Sequence, residues 1–401
     1  MSKGFDTAAV HAARDDFRKL GVHAPPLDLS TTYPIEDLDE ATADLDAMLA
    51  GDRPRSEKIY SRLENPTVSR FERAFAELEN AADAVAFGSG MAAIAAVLVA
   101  ARQRGPHVVA VRPIYGSTDH LLTSGLLGLD VTWATPDTVG DAIRADTSLV
   151  MIETPGNPTL ALVDIADVVR QAGTVPVVVD STFATPVLQR PLELGAAMSL
   201  HSATKYIGGH GDVIAGVVAA SDAHARDLRV VRLLTGGLLH PLAGYLLHRG
   251  LQTLPVRVRA AQASAQVIAE RLLAHEDVES VRYPSLPGGD PLGLLGRQMS
   301  GPGTMLAFTV RGGHDAAAAV MRAVELATPA VSLGSCDTLI QHPAGLTHRV
   351  VEPAALAESG VTPGMLRFSV GLENVEDIWR DLANALRVAA TVTELEAATA
   401  R

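Results

Sequence analysis

Short apolar runs separated by glycine, proline and polar residues dominate the chain from about residue 66 to residue 220. The run Val175–Val179 contains no charged residue, which is typical of a strand buried on both faces of a parallel sheet. Such runs alternate with segments of helical spacing, which predicts an α/β fold with a mainly parallel central sheet and helices on both faces. The predicted strands are Ala84–Phe87, His107–Val111, Asp130–Trp133, Ser148–Ile152, Val175–Val179 and Ile214–Ala219.

Apolar residues at helical spacing fill the segments between these strands and much of the C-terminal part. Pro255–His275 is predicted as one long helix, and the elements beyond it indicate a smaller C-terminal α/β domain. The predicted helices before it are Ser69–Leu78, Met91–Gln103, Gly116–Leu127 and Ile165–Gln171. The predicted elements after it are the strands Val278–Tyr283 and Met305–Val310 and helices near Asp315–Leu326 and Val375–Val388.

The first sixty residues are polar and irregular, apart from a short acidic amphipathic segment at Ile35–Ala50. We therefore predict an N-terminal arm (residues 1–60), a large domain (61–254) and a small C-terminal domain (255–401). In open α/β sheets ligands bind at the carboxyl ends of the strands. A ligand site is expected there in the large domain.

Composition excludes several classes of protein. The chain has 401 residues, 47% of them hydrophobic, and a formal net charge of −13, whereas nucleic-acid binding needs a basic surface. No long uncharged apolar run is present, so we expect neither a membrane anchor nor a signal peptide. The single cysteine, Cys336, excludes an internal disulfide and favours a cytoplasmic location. Cys336 itself suits either a small buried residue or an accessible thiol.

Lys205 lies between two hydroxyl residues, Ser202 and Thr204, and a glycine-rich run. It fits a solvated loop lysine, the Ser-x-x-Lys motif of penicillin-binding serine enzymes, or an amine that binds an aldehyde cofactor covalently. The serine-enzyme motif also needs Ser-Asp-Asn and Lys-Thr-Gly, and the sequence contains neither. The covalent interpretation requires partners elsewhere in the chain.

A pyridoxal-phosphate site needs four such partners, and the sequence offers a candidate for each. Asp180 follows a predicted strand and suits the protonated pyridine nitrogen, with a turn cap as the alternative. The turn Gly88–Gly90 before a helix suits the phosphate, although such turns are common. Tyr115 suits the ring face or simple core packing. Arg367, in an apolar strand, suits the carboxylate of a substrate.

His201, His210 and Asp212 are the residues that most resemble metal ligands. Glycines separate His210 and Asp212 from their neighbours, which favours a turn held by hydrogen bonds. No metal is expected.

Eight motifs in order along the chain give it a wider resemblance, from about Phe5 to Leu386. Together they resemble the pyridoxal-phosphate enzymes of cysteine and methionine metabolism, the family of cystathionine γ-synthase, cystathionine γ-lyase and methionine γ-lyase. The motifs are Tyr60-Ser-Arg-Leu-Glu-Asn-Pro-Thr67, Gly88-Ser-Gly-Met-Ala-Ala93, Glu153-Thr-Pro-Gly-Asn-Pro-Thr159, Val179-Asp-Ser-Thr-Phe-Ala-Thr-Pro186, His201-Ser-Ala-Thr-Lys-Tyr206, Ser332-Leu-Gly334, His342-Pro-Ala-Gly-Leu-Thr-His348 and Leu366-Arg-Phe-Ser-Val-Gly371.

The resemblance implies a fold-type I transferase-like architecture and a role for each matched residue. Lys205 would bind the cofactor aldehyde, Asp180 would pair with the pyridine nitrogen, and Tyr115 would stack on the ring and assist proton transfer. Tyr60 and Arg62 would reach the phosphate of a neighbouring subunit, in a homotetramer built from dimers that share active sites. The residues implied for the phosphate are Ser89, Gly90, Met91, Ser202 and Thr204, and those implied for the cofactor hydroxyl side and the substrate carboxylate are Asn157, Ser332 and Arg367.

Val331 bears on which sulfur amino acid reacts. Family members that use cystathionine commonly have Glu at this position, where it suits the distal ammonium group, whereas valine suits a thioether such as that of methionine. The sequence therefore favours γ-elimination from methionine. Cystathionine γ-lyase, cystathionine γ-synthase, a sulfhydrylase acting on an acylated homoserine, and a relative that binds the cofactor without turnover remain alternatives.

Overall fold

The structure, a computed structural model of the chain, describes residues 4–349 and 360–399. The chain divides into two compact units, each assembled from three segments. Unit 1 consists of Met1–Ala110, Leu127–Met151 and Ile165–Pro255, and unit 2 of Val111–Leu126, Ile152–Asp164 and Val256–Arg401. Two short segments of unit 2 thus come from inside the predicted large domain. The predicted domain boundaries after residues 60 and 254 stay a prediction.

A seven-stranded sheet is formed from the apolar runs of the first part of the chain. Its strands are β1 (Asp83–Phe87), β2 (His107–Val111), β3 (Asp130–Ala134), β4 (Thr147–Glu153), β5 (Val177–Asp180), β6 (Met198–His201) and β7 (Gly216–Ala220). Their order is β1-β7-β6-β5-β4-β2-β3. The pairs β2–β4 and β5–β6 are parallel, and β7 is antiparallel to β6 and β1. This mostly parallel sheet confirms the predicted α/β fold.

A second, five-stranded sheet lies in unit 2. Its strands are β8 (Val278–Arg282), β9 (Met305–Val310), β10 (Thr328–Pro329), β11 (Leu339–Gln341) and β12 (Met365–Ser369), in the order β10-β11-β12-β9-β8. Only the short β10–β11 pair is parallel. The central strands β9 and β12 are buried along their whole length, so Arg367 occupies a buried position within a sheet.

Some of the helices begin at a side-chain cap. Asn65 accepts hydrogen bonds from the backbone N–H groups of Thr67 and Val68, and Pro66 fills the first helical position of one helix. None of the helices among the described residues is long and apolar enough to cross a membrane. The helices are α1 (Phe5–His11), α2 (Phe17–Leu20), α3 (Leu38–Leu49), α4 (Pro66–Glu79), α5 (Gly90–Arg102), α6 (Gly116–Thr123), α7 (Val139–Ala142), α8 (Ile165–Ala172), α9 (Thr185–Leu188), α10 (Asp222–Thr235), α11 (Pro241–Leu251), α12 (Leu254–Leu273), α13 (Gly313–Ala323) and α14 (Val375–Thr399), with a 3₁₀ helix at Pro191–Leu194.

Some predicted boundaries were wrong for identifiable reasons. The strand predicted from Val175 begins at Val177, because Pro176 has no N–H for the sheet ladder. Helix α6 ends four residues earlier than predicted, where Gly125 adopts a left-handed φ of +71°. The first sixty residues, predicted to be irregular outside one segment, contain α1 and α2 as well as α3.

A buried ionic network in unit 1 joins the segment that follows α3 to the sheet. The guanidinium of Arg53 contacts the carboxylates of Glu64, Glu72 and Asp83 at 2.8, 3.0 and 2.7 Å. Two arginines of α10 complete the network: Arg229 pairs with Asp83, and Arg232 pairs with Glu64 and Glu72. Three positive and three negative groups therefore balance in a region where an unpaired charge would be costly.

Candidate active site

The carboxyl ends of β5 and β6 bring two predicted site segments together in unit 1. The strands are parallel, with Asp180 opposite Leu200, and both strands end at this edge of the sheet. The loop that carries Lys205 starts directly after β6. The backbone N–H of Ser202 donates to the hydroxyl of Thr182 at 2.9 Å, which ties the two strand ends to each other.

Asp180 is a buried carboxylate whose hydrogen-bond acceptor capacity is only partly used. Its Oδ1 accepts from the backbone N–H of Thr182 at 3.0 Å and from the Thr182 hydroxyl at 2.6 Å. Burial raises the pKa of the Asp180 carboxyl, against the opposing effects of the Thr182 bonds and the nearby His201. No lysine or arginine among the described residues forms an ion pair with it. Its environment suits a protonated ring nitrogen of a ligand.

The start of α5 provides an anion-binding surface beside Ser202. Ser89 caps the helix by accepting from the N–H of Ala92 at 3.0 Å. A Cβ added at Gly90 would lie 3.0 Å from the Oγ of Ser202, so a side chain here would push against Ser202. Helix N–H groups next to a hydroxyl are the donor set that binds a phosphate. These residues therefore fit the phosphate of pyridoxal phosphate.

The Lys205 loop is held by backbone and hydroxyl hydrogen bonds. The N–H of Lys205 donates to the carbonyl of Ser202 at 3.1 Å, and the carbonyl of Lys205 accepts from Gly209 at 2.8 Å. The Thr204 hydroxyl donates to the carbonyl of Ala215 at 3.1 Å and accepts from its N–H at 2.9 Å. Thr204 thus anchors the loop in this structure, and its expected contact with the phosphate stays a prediction.

The histidines near Lys205 have partners other than a metal. His201 is buried and contacts the carboxylate of Glu79 at 2.6 Å, and the Nδ1 of His210 lies 2.8 Å from the carbonyl of Gly208. Within residues 4–349 and 360–399, no group of three or more His, Cys, Asp or Glu side chains is arranged to hold a metal ion.

In unit 2, Glu153 joins two predicted site residues in a way that the sequence did not indicate. This buried residue ends β4, and its Oε2 accepts from the N–H of Tyr115 at 2.7 Å. Its Oε1 accepts from the N–H of Asn157, also at 2.7 Å. One carboxylate therefore fixes the backbone positions of Tyr115 and Asn157 relative to each other.

Arg367 lies on β12 with 3% of its surface exposed. Its guanidinium donates to the Oδ1 of Asn157 at 3.0 Å, the carbonyl of Ser332 at 2.8 Å and the Oε1 of Gln341 at 2.5 Å. These three acceptors are neutral, so they orient the guanidinium without neutralising its charge. A planar cation held in this way is suited to bind a carboxylate.

The residue before Ser332, whose carbonyl accepts from Arg367, has an apolar side chain. Val331 directly precedes Ser332 and is 58% exposed, so the residue can contact a ligand. The same loop contains Cys336, which is half-buried. Val331 provides no charge for a ligand's ammonium group.

Tyr60 and Arg62 line a separate cavity of unit 1. The cavity has a volume of about 410 Å³, and the described residues that line it do not include Asp180, Ser202 or Lys205. Tyr60 is 43% exposed, with the Arg62 guanidinium 5.5 Å from its ring centre. Arg62 also donates to the carbonyl of Leu233 at 3.0 Å. The two side chains are therefore oriented together on an open surface.

Comparison with known proteins identifies close relatives over nearly the whole chain. The model of a family described as Cys/Met metabolism PLP-dependent enzyme matches residues 6–387. An L-methionine gamma-lyase of Streptomyces avermitilis is 54% identical over 387 residues, which is 96% of this chain and 89% of the relative. An L-methionine gamma-lyase of Brevibacterium sandarakinum is 54% identical over 384 residues, or 95% of this chain and 97% of the relative.

A solved structure supports the same relationship. The cystathionine gamma synthase of Xanthomonas oryzae pv. oryzae, crystallised in complex with cystathionine, superposes with a TM-score of 0.90 at 35% sequence identity. The superposition covers 98% of this chain and 100% of that chain.

Proposed function

Because the chain belongs to the pyridoxal-phosphate-dependent enzymes of cysteine and methionine metabolism, we propose that it is an L-methionine γ-lyase. The reaction converts methionine and water into methanethiol, 2-oxobutyrate and ammonia. The observation that carries the choice of substrate is the exposed, apolar Val331 beside the loop that orients Arg367. A thioether fits this position, whereas the ammonium group of cystathionine would lack a counter-charge from it.

Pyridoxal phosphate, when bound, supplies an electron-withdrawing ring that makes the Cα and Cβ protons of a substrate acidic. The residues described in unit 1 would hold it. The amine of Lys205 would bind its aldehyde, and the N–H groups at Gly90 and Met91 with the Ser89 and Ser202 hydroxyls would bind its phosphate. The buried carboxylate of Asp180 would pair with the ring nitrogen, and its negative charge would favour a proton on that nitrogen.

The side chains of unit 2 would bind and orient the substrate. Arg367 would bind the α-carboxylate with its fixed guanidinium, and Asn157 would complete this contact with its amide nitrogen, since its oxygen already accepts from Arg367. Ser332 contributes through the carbonyl that holds Arg367. The result is a fixed direction for the bond from Cα to its proton.

Two groups would move protons. The amine of Lys205 would take the Cα proton at its Nζ, return it to the bound substrate and then take the Cβ proton, and the hydroxyl of Tyr115 would protonate the departing sulfur. The N–H of Tyr115 is held by Glu153, which fixes where its side chain starts. Water then releases the carbon skeleton as 2-oxobutyrate and ammonia.

The proposed assembly is a cytoplasmic homotetramer, built from two dimers. Support comes from the position of Tyr60 and Arg62, which are exposed and line a cavity. Among the described residues, the lining of this cavity does not include Asp180, Ser202 or Lys205. In such a dimer these two side chains would reach the cofactor phosphate of the neighbouring subunit, and residues 1–60 would form the arm that contributes to it. The domains at 61–254 and 255–401 are proposed as the cofactor-binding and smaller domains.

The second candidate function is a cystathionine γ-lyase or γ-synthase, which the structural similarity to a cystathionine gamma synthase favours. A panel of methionine, cystathionine, homocysteine and O-acetylhomoserine, scored for 2-oxobutyrate and for released thiol, separates these reactions. We expect methanethiol from methionine. Turnover of cystathionine alone would overturn the Val331 argument.

Lys205→Ala tests the catalytic assignment directly. The variant should lose turnover and the visible absorption of covalently bound cofactor, while Lys19→Ala, a matched change at an exposed lysine, should keep both. A protein that remains colourless when supplied with pyridoxal phosphate would refute the proposed function as a whole.

A further inference from the structure

Arg367 is one member of a closed ring of hydrogen bonds within unit 2. Gln341 lies directly opposite Arg367 on the neighbouring strand β11, and its Oε1 accepts from the guanidinium at 2.5 Å. The amide nitrogen of Gln341 in turn donates to the hydroxyl of Thr347. The strand pairing therefore fixes the start of the ring, and Gln341 connects Arg367 to the loop at residues 342–349.

The ring closes through His348 and Asn157. The Thr347 hydroxyl lies 3.0 Å from the Nδ1 of His348, and the Nε2 of His348 lies 3.2 Å from the backbone carbonyl of Asn157. The side-chain oxygen of Asn157 accepts from Arg367 at 3.0 Å, which returns the ring to its origin. The guanidinium of Arg367 is charged, and every other group in the ring is neutral.

Donor and acceptor chemistry fixes the direction of each hydrogen bond in the ring. A carbonyl can only accept, so Nε2 of His348 must carry a proton, and a neutral ring then has Nδ1 as an acceptor. The single hydroxyl proton of Thr347 is donated to Nδ1, which leaves its oxygen to accept from Gln341. Burial and the charge of Arg367 lower the pKa of His348 to about 4, so the imidazole is neutral at the pH of ordinary assays.

Packing holds the ring against the segment that follows Tyr115. A Cβ added at Gly116 would lie 2.4 Å from the carbonyl oxygen of Thr347, so this close approach needs glycine. Gly116 is the first residue of α6, and Tyr115 caps that helix. The loop that carries Thr347 and His348 therefore cannot shift without disturbing Tyr115.

We propose that Gln341, Thr347 and His348 are positioning residues, which fix the guanidinium plane of Arg367 and the side-chain amide of Asn157 for the carboxylate of the substrate. The inference rests on the proposed function, since it requires Arg367 to bind that carboxylate. None of the three touches the substrate in this proposal. Their effect passes through Arg367 and Asn157.

A matched pair of non-reacting ligands tests the proposal. Norleucine has the amine, the chain length and the carboxylate, and pentylamine is the same molecule without the carboxylate. Their dissociation constants for the holoenzyme are measured from the change in the cofactor's visible absorption, after cofactor content has been determined. Thr347→Val removes the hydroxyl and keeps the shape of the side chain. This variant should weaken the binding of norleucine about five- to tenfold and leave the binding of pentylamine unchanged.

Three further variants complete the test. Thr347→Ser retains the hydroxyl and should restore norleucine affinity. His348→Phe removes both imidazole hydrogen bonds and should behave like Thr347→Val, so it carries the test if that variant does not fold. Thr309→Val is the matched control, because Thr309 is also a buried threonine of unit 2 whose hydroxyl bonds only to Thr362 among the described contacts. Thr309→Val should change the affinity for neither ligand.

The outcomes separate this inference from the proposed function. If Thr347→Val and His348→Phe weaken both ligands equally, or neither, while the wild-type enzyme still releases methanethiol, the positioning role is wrong and the function stands. If the wild-type holoenzyme does not prefer norleucine to pentylamine, Arg367 does not bind a carboxylate and both ideas fail. A KM for methionine that rises with kcat nearly unchanged in Thr347→Val would agree with the binding result.

Discussion

Replacing Glu72 by glutamine should destabilise unit 1 severely, although the two side chains have nearly the same shape. Glu72 is fully buried. Its Oε1 accepts hydrogen bonds from the N–H of Ala86 at 2.7 Å and from the guanidinium of Arg232 at 2.5 Å. Its Oε2 lies 3.0 Å from the guanidinium of Arg53. Glutamine keeps the bond to Ala86. It removes the negative charge from between two arginines and turns an amide donor toward one of them.

The magnitude follows from the two charged contacts that are lost. Hydrogen bonds to charged groups contribute about 1.5–3 kcal/mol each, and removal of one partner from a buried ion pair costs about 3–5 kcal/mol. We therefore expect a decrease of about 3–5 kcal/mol in the free energy of unfolding. For a unit of about 150–250 residues, each kcal/mol corresponds to about 2–4 °C, so the melting temperature should fall by about 10 °C.

The assay is thermal unfolding of the holoenzyme at fixed protein and cofactor concentrations, since both affect the apparent midpoint. Glu376→Gln is the matched control, because Glu376 also pairs with an arginine, Arg271, at 2.7 Å but is 57% exposed. It should leave the midpoint unchanged within error. Equal midpoint shifts for the two variants would refute the reasoning that burial makes the network around Glu72 essential.

Three further predictions concern substrate choice, acid stability and cofactor binding. Val331→Glu should raise kcat/KM for cystathionine relative to methionine by about tenfold, since a carboxylate then faces the distal ammonium group; unchanged ratios would contradict this role. The folded-state pKa of His348, about 4, lies below its ordinary value of 6.5, so the unfolded chain binds more protons between these values and stability falls as the pH decreases through this range. This single group accounts for about 3 kcal/mol of that loss, so His348→Phe should show a shallower decline in midpoint from pH 6.5 to 4 than the wild type. Gly90→Ala would bring a methyl group 3.0 Å from the Oγ of Ser202 and should weaken pyridoxal-phosphate binding to the apoprotein, measured by titration. Gly140→Ala, whose new methyl group would meet only Gln171 at 3.7 Å, should bind the cofactor normally.

The sequence predicted six of the seven strands of the large sheet because their signal is local, but it did not predict β6. The apolar run that became β5 is typical of a buried strand, and the single proline within it explains the two-residue error at its start. Arg367 was recognisable for the same reason, since a charge inside an apolar strand is conspicuous. Helix α10 was not predicted, because Arg229 and Arg232 occupy buried positions that the helical pattern reserves for apolar residues.

Contacts between residues that are distant in the sequence could not be predicted from it. Glu153 stands four residues before Asn157 and thirty-eight after Tyr115, and nothing in that spacing indicates that one carboxylate holds both. The ring through Thr347 and His348 was hidden in the same way, although both residues belong to a family motif. The motif identifies the residues, and only the folded backbone shows what their hydroxyl and imidazole groups bind.

The interleaving of the two units has a consequence for synthesis on the ribosome. The segments Val111–Leu126 and Ile152–Asp164, which carry Tyr115, Glu153 and Asn157, emerge well before β8 to β12 of their own unit have been made. The last strand of the seven-stranded sheet, β7, ends at Ala220, so the residues of unit 1 that we propose to bind the cofactor are made before most of unit 2. Arg367, which we propose to bind the carboxylate of the substrate, is made later, so in the growing chain the proposed cofactor-binding residues would be complete before the proposed substrate-binding residues.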